Sequence, residues 1–226
     1  MKEERMDKEF WHSKWEKNEI GFHLNDVHPL LKKYFDRSFI DSESVFVPLC
    51  GKTLDMRFLY AQNKSVIGCE LSEIAIKNFY LNEIDNNSLS LSEEDEHQIF
   101  CIGSESQSLK IFVGDFFNLD KHSFNQCQSI YDRAALIALP EELRILYVAH
   151  LKKLLPQATM LLITLDYQQN KMSGPPFSVE QSEVEKIFSF ASVEILKRSD
   201  IIEDEPHLKT KGLKHFYQTA YFIEWN

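Results

Sequence analysis

Ser44-Val45-Phe46-Val47-Pro48-Leu49-Cys50-Gly51-Lys52 is a short apolar run that stops at a glycine and a charge. That is the pattern of a buried strand ending in a turn. Downstream, Thr53 to Asn63 carries Leu54, Phe58 and Leu59 at helical spacing, and Ser65-Val66-Ile67-Gly68-Cys69-Glu70 reads as a second strand. Ser72 is placed to cap a further helix bearing Ile76, Phe79 and Tyr80. The β-α-β-α order predicts a largely parallel sheet with helices on both faces.

The same alternation continues outward from this stretch. Upstream, Asp7 to Asn18 is amphipathic, with Trp11 and Trp15 four apart on one face, and a short helix begins at Pro29. Downstream, Asn82 to Leu109 is polar and acidic and predicts a surface excursion containing at most a β-hairpin. Strands resume at Lys110–Asp115 and Ser129–Arg133. Pro140 to Leu155 is the clearest helix, with Glu141 and Glu142 in its first turn and Lys152 and Lys153 in its last. Met160–Leu165 is the most apolar strand, and Ser178 with Gln181 forms a capping-box start for a helix carrying Val184, Ile187 and Phe188. Ser192–Lys197 and Phe216–Glu224 are close in sequence with no clear helix between them, so they predict an antiparallel pair at one edge. The expectation is an α/β protein with a seven-stranded, mostly parallel sheet. It forms one domain, 1–226, with residues 1–40 as a helical cover and 82–109 as a variable excursion.

Composition narrows the chemistry. In 226 residues there are 35 acidic and 25 basic side chains, a net charge of -10 that disfavours nucleic acid and anionic membranes as partners. Four cysteines occur without any C-x-x-C pair, which suits reduced thiols in a cytosolic protein better than a zinc site or a redox motif. The N-terminus, Met1-Lys2-Glu3-Glu4-Arg5, lacks the apolar stretch of a signal peptide, and the longest apolar run falls well short of the ~20 residues of a membrane span. A cytoplasmic location follows as the expectation.

Ligands of open α/β sheets bind beyond the carboxyl ends of the strands. There the sequence places Gly51-Lys52, Glu70, Asp115, Asp132-Arg133 and Asp166. Glu70 follows Gly51 by 19 residues, the spacing at which nucleoside-binding folds present an acid to the ribose hydroxyls. With only 7 glycines and no G-x-G-x-x-G, the chain has no pyrophosphate cradle. A Walker pattern is absent too, since Phe46 stands where its first glycine would be. A nucleoside without a diphosphate fits, and S-adenosylmethionine is one; NAD and ATP are not.

Phe10-Trp11-His12-x-x-Trp15, Gly21-Phe22-His23, Val47-Pro48-Leu49-Cys50-Gly51-Lys52, Glu70-Leu71-Ser72, Asp132-Arg133-x-Ala135-Leu136, Leu165-Asp166-Tyr167 and Gly174-Pro175-Pro176-Phe177 together resemble the thiopurine S-methyltransferase family, closest to its bacterial members. The resemblance runs in order from about Phe10 to the C-terminus. It implies a class I, Rossmann-like, S-adenosylmethionine-dependent methyltransferase fold with an added N-terminal helical cover.

The resemblance also implies roles. Glu70 holds the donor ribose, Leu49 and Gly51 lie under the donor, and Trp11 and Trp15 cover it. Asp115 and Phe116 match the segment that holds the adenine. Phe22 matches a lid residue over donor and acceptor. Arg133 matches an arginine facing the reacting groups, where a fixed cation favours a thiolate. Asp26 is either a contact to a basic heterocyclic acceptor or a turn acid. His207 or Lys209 fills the place of a second basic residue. The implied reaction is in-line methyl transfer to the sulfur of an aromatic or heterocyclic thiol by a monomer. It needs no cysteine nucleophile, metal or triad. Selenium or tellurium compounds are alternative acceptors associated with bacterial relatives, and a donor-binding protein without turnover is the rival from another class.

Overall fold

The computed structural model describes residues 8–83, 90–94, 97–104, 106–124 and 127–226. The charged stretch Met1–Arg5, the helix start at Asp7 and parts of the 82–109 excursion lie outside the described residues. The chain divides into two compact units, Met1–Tyr131 and Asp132–Asn226.

The first unit opens with α1 (Lys8–Glu16) and α2 (Pro29–Phe39). Pro29 occupies the first turn of α2, and the His28 Nδ1 atom accepts the Leu30 N–H ahead of it. The decisive stretch forms β1 (Ser44–Val47), with all four residues buried. Then follow α3 (Asp55–Ala61), β2 (Ser65–Glu70), α4 (Glu73–Glu83), β3 (Ser90–Glu94), β4 (His97–Ser104), β5 (Gln107–Val113) and β6 (Ser129–Arg133). β1 pairs parallel with β2, from Ser44↔Ser65 to Val47↔Gly68, and with β6 at Phe46↔Ile130; β2 pairs parallel with β5. Strand order here is β3-β4-β5-β2-β1-β6.

The expected seven strands are all present, and the described residues form nine. The polar excursion supplies the other two, β3 and β4, as the hairpin it was allowed to contain; β4 runs antiparallel to β5. Its acidic character hid a strand whose Ile99, Phe100 and Ile102 are buried. The core of this unit gathers Phe46, Met56, Leu59, Phe79, Phe112, Phe116 and Tyr131, each at most 1% exposed. Phe46 packs edge-on to Phe124 and stacks with Phe116.

The second unit contains α5 (Glu141–Leu154), β7 (Ala158–Asp166), α6 (Gln181–Ile187), β8 (Ser192–Asp200), α7 (Pro206–Thr210) and β9 (Tyr217–Trp225). Leu143, Tyr147, Leu151 and Leu154 form the buried stripe of α5. β9 runs antiparallel to both β7 and β8, giving the order β7-β9-β8 and the expected antiparallel edge.

Two capping expectations are corrected. α6 begins at Gln181 behind Glu180 without a side-chain cap, because the Ser178 hydroxyl instead accepts the Tyr167 N–H at 2.9 Å. The Ser72 hydroxyl is buried without a hydrogen-bond partner among the described residues, since the backbone carbonyl of Ser72 takes the Ala75 and Ile76 N–H groups. In both cases a backbone group displaced the bond that the local pattern assigned to the hydroxyl.

Candidate active site

The turn after β1 brings two residues into left-handed backbone, Leu49 at φ 45° and Gly51 at φ 54°. Glycine adopts that conformation freely, whereas for leucine it costs about 1–2 kcal/mol. Strain of this kind persists where surrounding structure enforces it. Here Cys50 donates its N–H to the Cys69 carbonyl at 2.9 Å, binding the turn to the end of β2.

Glu70 ends β2 and is 6% exposed. One carboxylate oxygen accepts the Gly51 N–H at 2.9 Å and the other the Ser72 N–H at 2.8 Å. Burial pushes its pKa up to about 7, against the opposing pull of these two donors. The Leu71 amide also pulls on the group, and the two oxygens together keep lone-pair capacity for a further donor. An anchored, buried acid with acceptor capacity left suits a diol such as that of ribose. The residues therefore fit the nucleoside part of S-adenosylmethionine.

A side chain at Gly51 would meet the Trp15 indole, whose Cζ2 atom lies 3.3 Å from the Cβ position. Trp15 is 5% exposed, and the half-buried Trp11 sits one turn earlier on α1. Phe22 is edge-on to both, at 5.6 Å from Trp15 and 5.9 Å from Trp11. Thus Gly51, Glu70, Trp11, Trp15 and Phe22 are brought together as one constellation, with Leu49 in its turn. Asp26 lies in an exposed bend ahead of α2.

Asp115 follows β5 and is buried. Its Oδ1 atom accepts the Phe117 N–H at 3.0 Å, and Oδ2 lies 3.2 Å from the Lys8 ammonium of α1. Gly114 is tied to the constellation through its N–H, donated to the Glu70 carbonyl at 2.9 Å. Phe116 is turned into the core. Its ring is 1% exposed, stacked on Phe46 and edge-on to Phe117. Half-buried Phe117 is the neighbour with accessible ring area. Doublet position cannot be told from sequence, because Phe116 and Phe117 are chemically identical and only the short helical turn after Asp115 orients them.

Arg133 closes β6 and falls in the second unit, followed by Ala134 at φ 67°. Asp132 and Asp166 have partners of their own. Asp132, fully buried, accepts the Tyr147 hydroxyl at 2.7 Å and the N–H groups of Ala135 and Leu136, while Asp166 pairs with Arg198 at 2.7 Å. His207 and Lys209 are exposed on α7 and pair with Glu205 and Glu203. Burial, with the charge of Glu70 adding to it, pushes the Cys50 and Cys69 thiols well above their ordinary range, which makes them poor nucleophiles. Among the described residues, no group of three or more His, Cys, Asp or Glu could hold a metal ion. Nor is any described helix long and apolar enough to cross a membrane.

Sequence reasoning did not single out Lys8 and His97. Lys8 is one lysine among many, and His97 stands at the end of an acidic run where no periodicity marks it.

The fold is that of S-adenosylmethionine-dependent methyltransferases. The Burkholderia thailandensis 1,6-didemethyltoxoflavin-N1-methyltransferase, solved with S-adenosylhomocysteine, is similar over 97% of this chain and 87% of its own, with a TM-score of 0.62 and 10% identity. The Synechocystis magnesium protoporphyrin IX methyltransferase, solved with bound S-adenosylmethionine, is similar over 100% of both chains at a TM-score of 0.58 and 11% identity. Identities this low speak for the fold alone. The family model for thiopurine S-methyltransferase matches residues 6–226. Thiopurine S-methyltransferases from Vibrio atlanticus and Shewanella pealeana are each 42% identical to this chain, over 219 and 220 residues, covering 96% of it and 97% of their own length. The chain belongs to the thiopurine S-methyltransferase family.

Proposed function

We propose that this protein transfers a methyl group from S-adenosylmethionine to the sulfur of an aromatic or heterocyclic thiol, leaving S-adenosylhomocysteine. The observation that carries the reading is the Glu70 carboxylate pinned between the Gly51 and Ser72 amides at the ends of two parallel strands, in a chain of this family. S-Adenosylmethionine, when bound, supplies a methyl carbon already made electrophilic by the sulfonium. The protein's task is then orientation and exclusion of water. Glu70 holds the ribose diol, Trp11, Trp15 and Phe22 wall off water, and Leu49 and Gly51 line the donor from the β1 turn. Asp115 accepts a hydrogen bond from the adenine amine, with Phe117 rather than Phe116 as the adjoining ring. Arg133 stabilises the thiolate form of the acceptor, and Asp26 contacts its heterocycle.

On the same reading the enzyme is a cytoplasmic monomer whose partners are small molecules; four free cysteines, three of them buried, support a reducing compartment. Calorimetry with S-adenosylhomocysteine, followed by product formation with 6-mercaptopurine, selenite and an aliphatic thiol, tests it. The aromatic thiol is expected to turn over fastest. Arg133→Ala lowers kcat about 100-fold with donor affinity changed less than about threefold, as expected for a group acting on the reacting sulfur. Donor binding without turnover of any acceptor would return the protein to a binding role.

A further inference from the structure

We propose that His97, in the hairpin strand β4, is a positioning residue for the methyl donor, acting through the Gly114-Asp115 turn. The hairpin looks like a surface excursion, yet His97 is only 3% exposed. Its Nε2 atom lies 3.0 Å from the Asp115 backbone oxygen. A carbonyl oxygen only accepts, so Nε2 carries the proton and the imidazole donates. The ring also packs edge-on to Phe112 at 5.9 Å.

The same Nε2-bearing edge of the ring fills the space beside Gly114. A Cβ at that glycine would stand 2.6 Å from the imidazole Cδ2 atom, closer than real Cβ contacts come, and Gly114 has φ 156°. Imidazole and glycine are therefore fitted to each other. Three of the contacts that hold the turn between β5 and the Asp115 carboxylate are Gly114 N–H on the Glu70 carbonyl, Phe117 N–H on Asp115 Oδ1, and His97 on the Asp115 carbonyl. The first links it to the ribose-binding acid, the second sets the carboxylate, and the third comes from the excursion. The Asp115 carbonyl also accepts the Asn118 N–H at 3.0 Å. Without His97 it keeps only that local donor, loses its tie to β4, and a ring-sized space opens beside the glycine, which loosens the peptide that aims Asp115. β4 thus belongs to the donor-binding machinery.

This inference rests on Asp115 being an adenine contact, and the test separates the two. S-Adenosylhomocysteine affinity is measured by calorimetry, and donor KM and kcat by steady-state assay, for His97→Phe, His97→Gln and Asp115→Ala. His97→Phe keeps the ring volume but removes the donor. His97→Gln restores an N–H at a similar reach, and it stands in if the phenylalanine variant does not fold. The expected result is a roughly tenfold weaker donor affinity in His97→Phe, seen in donor KM with kcat and acceptor KM within about twofold, and recovery to within about threefold in His97→Gln. Asp115→Ala weakening the donor while both His97 variants match the native protein would overturn the role of His97 alone. Unchanged affinity in Asp115→Ala would overturn the adenine assignment and the inference with it. Equal loss of kcat, donor KM and acceptor KM in His97→Phe without recovery in His97→Gln would reduce His97 to general packing.

Discussion

Burial and two backbone donors pull on Glu70 in opposite directions, and burial wins, with the pKa at about 7. Ionisation makes the carboxylate a better acceptor for a diol, so donor affinity should rise with pH and level off above about 7, falling about tenfold per unit well below it. Calorimetric titrations with S-adenosylhomocysteine from about pH 5.5 to 8 check this, and Glu70→Ala should weaken binding more than about tenfold at the upper end of that range. Asp132, likewise buried, has its pKa raised to about 6 from 3.8. A raised acid costs nothing below its unfolded pKa, where both states are protonated. The cost grows as pH rises and is complete above the folded pKa, at about 3 kcal/mol here. Asp132→Asn can keep the bonds to Ala135, Leu136 and Tyr147 while removing the titration. Its stability relative to the native protein should therefore climb between about pH 4 and 6.5, as urea unfolding would record. A difference independent of pH would refute the assignment. Both acids are legible in the sequence as strand-end residues, but their burial is not, because it depends on neighbours from distant segments.

A nine-residue helix has little stability of its own, so α1 is held by what it packs against. Its anchors are Trp15 against Gly51 and Phe22, with the partly exposed Lys8–Asp115 pair adding at most about 1 kcal/mol. Trp15→Ala should accordingly loosen the cover alone: hydrogen exchange in Lys8–Glu16 accelerates about 100-fold, while exchange in β1 and β2 is unchanged. Acceleration throughout the first unit would instead make Trp15 part of its core. The two tryptophans could be placed on one helical face from their spacing, and Phe22 reached only through family resemblance. The hairpin could be allowed for but its strands not delimited, because β4 interleaves polar residues with Ile99, Phe100 and Ile102 without a clean two-residue period. A Phe-Phe pair such as Phe116 and Phe117 likewise gives no sign of which ring turns inward.

For the molecule as a whole, strand ends rather than a glycine-rich loop carry the site. The parallel strands and the Gly51–Glu70 spacing could be read directly, because apolar runs and turn residues are local signals. The conformation of the late segment could not. Tyr167, Ile202, Leu208, Leu213 and Phe216 form a buried cluster there, while His207 and Lys209 are exposed and paired with acids. Side-chain direction in a five-residue helix such as α7 is decided by that cluster and not by any period. The most direct test of the account is S-adenosylhomocysteine released from S-adenosylmethionine in the presence of 6-mercaptopurine, with and without the protein. Release that requires both protein and thiol, saturates in each, and falls about 100-fold in Arg133→Ala is the predicted result. No thiol-dependent release from protein that binds S-adenosylhomocysteine would contradict it.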